Sequence, residues 1–303
     1  MSLSRLADSW LCSLALAFVT APSVQAQVPK RTDSVALGSV AGVVYDSLLK
    51  APLESATVFI QGGGSIAITD REGRFFLPGV STGRHVVAFS HDALDSLGVA
   101  GIPAIIDVVA ERAVLVRLAT PSYETLRATA CGVSGAEVSP DSGFVYGELR
   151  DADSDSLLAG ARVSVRWRTL LRPVGGRVEF GVPQLVRATS ARGTYSLCGI
   201  PVGAPLSVHA FAGVTATATA PAMIERRRIA RLDLFVSRVA KTTSPAGVGP
   251  STLSGVVRGR SGVVLAGAQV SVAGVDTSVV TDEEGRFQLA SLPSGTQSLI
   301  VMR

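Results

Sequence analysis

The residues of this 303-residue chain that could do chemistry are few: three histidines, some alternating carboxylates, one arginine run and serines near glycine. His85, His91 and His209 lack the His-x-x-Glu and His-Glu-x-x-His spacings that bring two ligands onto one zinc ion. His85 and His209 fall at matching places in two alternating strands, where a hydrogen-bonded strand residue is the simpler reading. Asp151, Asp153 and Asp155 alternate as calcium ligands do, but Ser156 and Arg162 stand where an EF-type loop needs Gly and Glu. A solvated turn fits them better. No Gly-x-Ser-x-Gly elbow presents a nucleophile, and Gly62-Gly63-Gly64 joins two strand patterns instead of opening a phosphate-binding helix. The chain is therefore read as non-enzymatic, with no cofactor and no metal.

Charge and aromatic residues point to binding. Net charge is +4, carried mainly by arginine, and Glu225-Arg226-Arg227-Arg228 is the one dense run. Arg226, Arg227 and Arg228 are the candidate contacts for an anionic partner such as a lipopolysaccharide or glycan, against the alternative of a solvated edge. Trp167 and Tyr146 could stack on a sugar face or fill a core. The long stretches Thr169–Arg187 and His91–Ala110 are expected to be loops, where binding on a rigid scaffold usually resides.

The compartment follows from the amino-terminal end. Residues 1–26 read as a secretory signal: Arg5, an apolar run Leu11–Val19 too short to span a bilayer, and Val24-Gln25-Ala26 as the cleavage site. Removing it leaves Cys131 and Cys198. In an oxidising compartment the two can bridge, which would stabilise by about 4 kcal/mol for so long a loop; two separate buried thiols are the alternative.

The elements that must position these residues are strands. One phrase occurs three times, as TDREGRFFL from Thr69, TSARGTYSL from Thr189 and TDEEGRFQL from Thr281. Gly73, Gly193 and Gly285 each precede an aromatic by two residues, at Phe75, Tyr195 and Phe287. Glycine accepts the positive φ that ends a tight turn, and the aromatic two places on points into the core. The second copy has Ser190 where the others have Asp70 and Asp282, so the acidic turn is read as structural. Around each phrase apolar residues alternate with period two between Gly, Pro and Asp, as half-buried strands require. The organisation expected is a polar lead at 27–37, sandwich 1 at 38–120, a linker at 121–142 and sandwich 2 at 143–239 with an insertion at 169–187. A linker at 240–250 and sandwich 3 at 251–303 follow. The third unit is expected to be truncated on its carboxy-terminal side, without its last strand.

This pattern resembles the carboxypeptidase regulatory-like domain. The matching residues are the opening strand with Gly42, Gly147 or Gly255, the steps Leu157–Val163 and Leu265–Val270, and the T-D-x-x-G-x-F-x-L phrase. The resemblance implies an all-β chain of tandem seven-stranded antiparallel sandwiches, prealbumin-like or Ig-like, the last incomplete. It also implies an accessory domain without chemistry, grouped with carbohydrate-binding-like folds and found before the plug and barrel of TonB-dependent outer-membrane receptors. The function expected is an exported binding or spacer protein in the periplasm or outer membrane, or at the surface, of a Gram-negative-type bacterium. Its expected partners are an envelope protein or polysaccharide, and not nucleic acid. A carbohydrate-binding protein and a regulatory fragment of a secreted peptidase are the other readings.

Overall fold

The computed structural model describes residues 36–132, 139, 141–174, 177–237, 249–259 and 261–303. The leader, most of the polar lead and most of the 240–250 linker lie outside the described residues. The first sandwich comprises Leu37–Asp46 (β1), Ala51–Pro52 (β2), Thr57–Ile60 (β3), Ile66–Ile68 (β4), Arg74–Ser81 (β5) and Gly83–Ser90 (β6). The short helix Asp92–Asp95 (α1), then Ala104–Val108 (β7) and Ala113–Ala119 (β8), complete it. Strand β1 pairs with β2, β5 and β8, and the second sheet runs β4-β3-β6-β7. Val40, Val44, Val58, Leu77, Val87 and Leu118 fill the space between the sheets and are almost wholly buried. Each is the inward residue of an alternating strand. The stretch His91–Ala110, expected as loop, contains α1 and β7.

After the helix Tyr123–Cys131 (α2), the second sandwich repeats the plan. It has Ser142–Asp151 (β9), Arg162–Trp167 (β10), Thr169–Val174 (β11), Arg177–Gly181 (β12), Gln184–Ala188 (β13), Thr194–Pro201 (β14) and Pro205–Ala212 (β15). Thr215–Ala216 (β16), Ala220–Met223 (β17), Ile229–Arg231 (β18) and Leu234–Val236 (β19) follow. The insertion is ordered as strands: β11 and β12 form a hairpin with Leu170 opposite Phe180, and β13 pairs along β10. The third unit has Ser251–Val256 (β20), Gln269–Val272 (β21), Ser278–Val280 (β22), Arg286–Leu292 (β23) and Leu299–Met302 (β24). Its sheets are β20-β23 and β22-β21-β24.

The fold is all-β sandwich, with one amendment to purely antiparallel pairing. Strand β8 runs parallel to β1, and β18 and β19 run parallel to β9. A hairpin within one sheet enforces antiparallel neighbours, whereas a chain that crosses from one sheet to the other can return in either direction. Here β8 follows β7 of the opposite sheet and re-enters beside β1.

The linker between the first two sandwiches also differs from expectation, since its Tyr123–Cys131 stretch is α2. Ser122 caps the helix, its Oγ accepting from Thr125 N–H at 3.1 Å, and Gly132 ends it. Phe144 and Ile229 of the second sandwich pack into the first hydrophobic core, with Tyr146 and Cys198 against it. The two sandwiches thus share buried surface.

Candidate functional site

The repeated phrase places its residues alike in all three units. Gly73, Gly193 and Gly285 have φ of 72°, 69° and 72°. The Asp70 carboxylate accepts from the N–H groups of Glu72 and Arg74 at 3.0 and 2.8 Å, and Asp282 does the same for Glu284 and Arg286 at 3.1 and 2.7 Å. Bonding from the Arg74 backbone holds the Asp70 carboxyl below its ordinary value. In the second copy a neutral Ser190 hydroxyl takes the same two bonds, at 3.2 and 3.3 Å. The same turn thus forms around a carboxylate in two copies and around a neutral hydroxyl in the other.

The threonine before it does more than close its own turn. Thr69 Oγ1 donates to Leu53 O at 2.6 Å and accepts from Ala56 N–H at 2.8 Å, stitching the phrase to the start of β3. Thr189 bonds Leu158 and Ala161, and Thr281 bonds Leu265 and Ala268, in the same way. All three threonines are buried. Their identity in every copy, beside a neighbour that varies, was the available signal.

The other candidates scatter. His85 donates to Ser81 O at 2.7 Å, and His91 caps α1 by accepting from Ala93 N–H at 3.1 Å. His209 lies near Phe211, its pKa lowered by burial and by Arg166. Asp151 is buried and holds the N–H groups of Asp153 and Ser154, Asp153 accepts from Ser237, and Asp155 pairs with Arg150. Among the described residues no three His, Cys, Asp or Glu side chains gather as metal ligands would. Trp167 packs at the edge of the second core.

What comes together is the junction of the first two sandwiches. Cys131 at the end of α2 is disulfide-bonded to Cys198 on β14, with Cα atoms 6.1 Å apart. Of the arginine run, whose three members are the candidate contacts for an anionic partner, Arg226 is exposed, while Arg227 and Arg228 make contacts within the chain. Arg227 reaches Asp46 of the first sandwich, Nε to Oδ2 at 3.0 Å, and that aspartate is 1% exposed. Its other oxygen accepts from the Leu48 and Leu49 N–H groups. The Arg228 guanidinium stacks over Tyr123 at 3.9 Å and donates to Ser142 O, to which the Tyr123 hydroxyl also donates. A cation unable to find such partners would stay in water.

Beside this junction lies a cleft of about 330 Å³ bordered by Gly98, Leu126, Ala130, Tyr146, Tyr195 and Arg231. Tyr146 donates to Leu97 O across it, and burial pushes the Tyr146 and Tyr195 phenols up. Arg231 is tied to Asp233 at 3.0 Å, and Asp233 also accepts from Glu148 N–H. The cleft offers an apolar wall, two phenols that each donate to a backbone carbonyl, and a paired guanidinium–carboxylate. That set can hold a small polar molecule by hydrogen bonding.

Comparison with known proteins agrees with the third unit's pattern. Residues 252–303 match the carboxypeptidase regulatory-like domain family. No curated protein matches the chain. Among solved structures it is similar to the Bacillus anthracis TIE protein, at 14% identity and TM-score 0.26, over 88% of this chain and 45% of that one. The shaft pilin SpaA from Lactobacillus rhamnosus GG aligns at 10% identity and TM-score 0.24, over 71% of this chain and all of the pilin. A group B streptococcus pilus 2b backbone protein aligns at 10% identity and TM-score 0.26, over 62% and 79% of the two chains. This chain spans less than half the length of the TIE protein.

Proposed function

We propose that this chain is a non-enzymatic exported protein of the cell envelope. In this reading it is the amino-terminal accessory part, or a relative, of an outer-membrane receptor, and its sandwiches space and present binding surfaces. The observation that carries the reading is the junction. A disulfide, a shared core and the buried Asp46–Arg227 pair make one body of two sandwiches, as a spacer needs and a flexible tether does not. The secretory leader in the sequence and the bridge itself favour an oxidising compartment. Expression behind the native leader in a Gram-negative host, followed by fractionation, should place the chain in the periplasm or outer membrane with Cys131 and Cys198 oxidised. Retention in the cytoplasm, or peptide hydrolysis abolished by a chelator, would overturn the proposal.

The cleft favours a second reading, carbohydrate binding, because Tyr146, Arg231 and Asp233 supply a ring face and polar groups side by side. Retention on a glycan array that is lost in Tyr146→Ala would support it. No retention of any glycan would remove it.

A further inference from the structure

The insertion of the second sandwich carries an amphipathic ribbon. Strands β10 and β13 pair with Arg162 opposite Ala188 and Arg166 opposite Gln184. The hairpin keeps that register, with Thr169 opposite Gly181 and Leu170 opposite Phe180. Between the two ladders Trp167 N–H donates to Pro183 O at 3.3 Å. The ladders therefore form one two-stranded ribbon, and the period of two sorts its side chains onto two faces. On one face Val163 and Val165 are buried in the second core, with Leu185 packed against it. Arg162, Arg166, Arg168, Leu170, Phe180 and Val182 belong to the other face, and all six are exposed.

Along that exposed face the character changes. Its base, over the sandwich, is basic. Its outer part is apolar, and there, among the described residues, β11 and β12 pair only with each other. Leu170 and Phe180 form a cross-strand pair, 68% and 63% exposed, and Val182 beside them is 60% exposed. A ribbon of two strands has no core of its own for such residues to enter. Contact with an apolar medium would stabilise them.

The charge is equally localised. Residues 162–192 hold seven arginines and one acidic residue, Glu179, whereas the whole chain has 28 basic and 24 acidic residues. The rest of the chain is thus slightly acidic, and the positive excess belongs to the ribbon and its flanks. Elsewhere arginines meet carboxylates, as Arg74 meets Asp70, Arg84 meets Asp107 and Arg227 meets Asp46. Among the described residues no carboxylate comes within ion-pair distance of Arg162, Arg166 or Arg168, and Arg162 lies over the Phe211 ring at 5.9 Å. After the leader, Asp33 and Glu137 are the only acidic residues outside the described ones, so those segments do not supply the counter-charge.

The spacing fits a bilayer surface. On a strand rising about 3.3 Å per residue, Arg168 and Arg166 stand about 7 and 13 Å from Leu170. The headgroup layer on each side of a bilayer is about 5–8 Å thick. With Leu170 and Phe180 at the acyl boundary, Arg168 reaches the phosphates and Arg166 their outer side. We propose that the ribbon is a membrane-surface anchor. Its Leu170, Phe180 and Val182 face enters the interface of an anionic phospholipid bilayer, and Arg162, Arg166 and Arg168 engage the phosphates. Apolar burial and attraction to anionic lipid add in such a contact. The site rests on the envelope reading for its membrane, but vesicle binding is measured on purified chain and succeeds or fails independently of export.

The chain without its leader is mixed with vesicles of equal parts phosphatidylglycerol and phosphatidylcholine, or of phosphatidylcholine alone, and bound protein is read by flotation. Saturable binding to the anionic vesicles is expected, about tenfold or more above the neutral ones and weakened by salt. When Phe180→Trp is combined with Trp167→Phe, the sole indole left after the leader should shift to the blue on binding. Lipids brominated on their acyl chains should quench it. Leu170→Gln with Phe180→Gln, and separately Arg166→Gln with Arg168→Gln, should each weaken binding about tenfold while leaving amide exchange in β10 and β15 unchanged. Equal binding to neutral vesicles, an unquenched indole, or full binding by the Leu170→Gln, Phe180→Gln chain would overturn the proposal. Self-association without lipid that the same pair abolishes would make the face a contact between protein chains. Capture by a soluble anionic polysaccharide as strong as by vesicles would make the arginines a glycan site. Either result refutes the bilayer.

Discussion

The first two sandwiches and the third are built from one phrase, and they differ in what surrounds it. In the first pair the phrase aromatics Phe75 and Tyr195 are buried, the opening strands are covered by a parallel partner, and a disulfide and an ion pair lock one sandwich to the other. In the third the same turn glycine, capping aspartate and stitching threonine form the same bonds, while the apolar residues above them remain half in water. The polar devices are therefore local and form in each unit by themselves. Burial of the aromatic is a tertiary property, and it depends on a strand from elsewhere in the chain.

Substitutions can break this contrast. The largest effect is expected for Phe75→Ala, about 3–5 kcal/mol in the first unit, against no more than about half of that for Phe287→Ala in the third. Equal losses, read by urea unfolding with unit-resolved amide exchange, would mean that the third core is as closed as the first. Next comes the staple: Cys131→Ser with Cys198→Ser should cost about 2–4 kcal/mol in the first two units and leave amide protection in β21 and β23 untouched. A matching loss in the third unit would show that all three fold as one block. Asp46→Ala removes the acceptor of two turn N–H groups and the partner of Arg227, and about 2 kcal/mol should be lost. Loosened exchange should appear on both sides of that junction and nowhere in the third unit. The smallest and most uniform change is expected from Thr69→Val, Thr189→Val and Thr281→Val, about 1–2 kcal/mol each, since every hydroxyl makes the same two bonds. Unequal costs would sharpen the comparison by showing that a stitch depends on the completeness of its sandwich.

Much of the fold was legible because its signals are periodic and repeated. Alternation marked β1, β8, β9 and β20, and the glycine–aromatic spacing marked the turns. The parallel return of β8 was not legible, since an alternating strand reads the same in either direction. The helix α2 was hidden in a segment read as linker; its only strong mark is the Ser122 cap. The fate of Arg227 and Arg228 was equally invisible. Their partners, Asp46 and Tyr123, lie 181 and 105 residues away in sequence, and charge patterning alone does not separate a surface cluster from a junction.

The sequence by itself determined the turns, the inward faces and the threefold repeat, because φ preference, period-two burial and side-chain capping act over a few residues. Only the tertiary structure decided which faces are covered. Gly255 is identical in type and spacing to Gly42 and Gly147, and nothing in its neighbourhood along the chain separates them. The difference lies in whether a distant carbonyl arrives above the missing Cβ, as those of Val116 and Leu232 do above Gly42 and Gly147, and that is settled by long-range strand pairing.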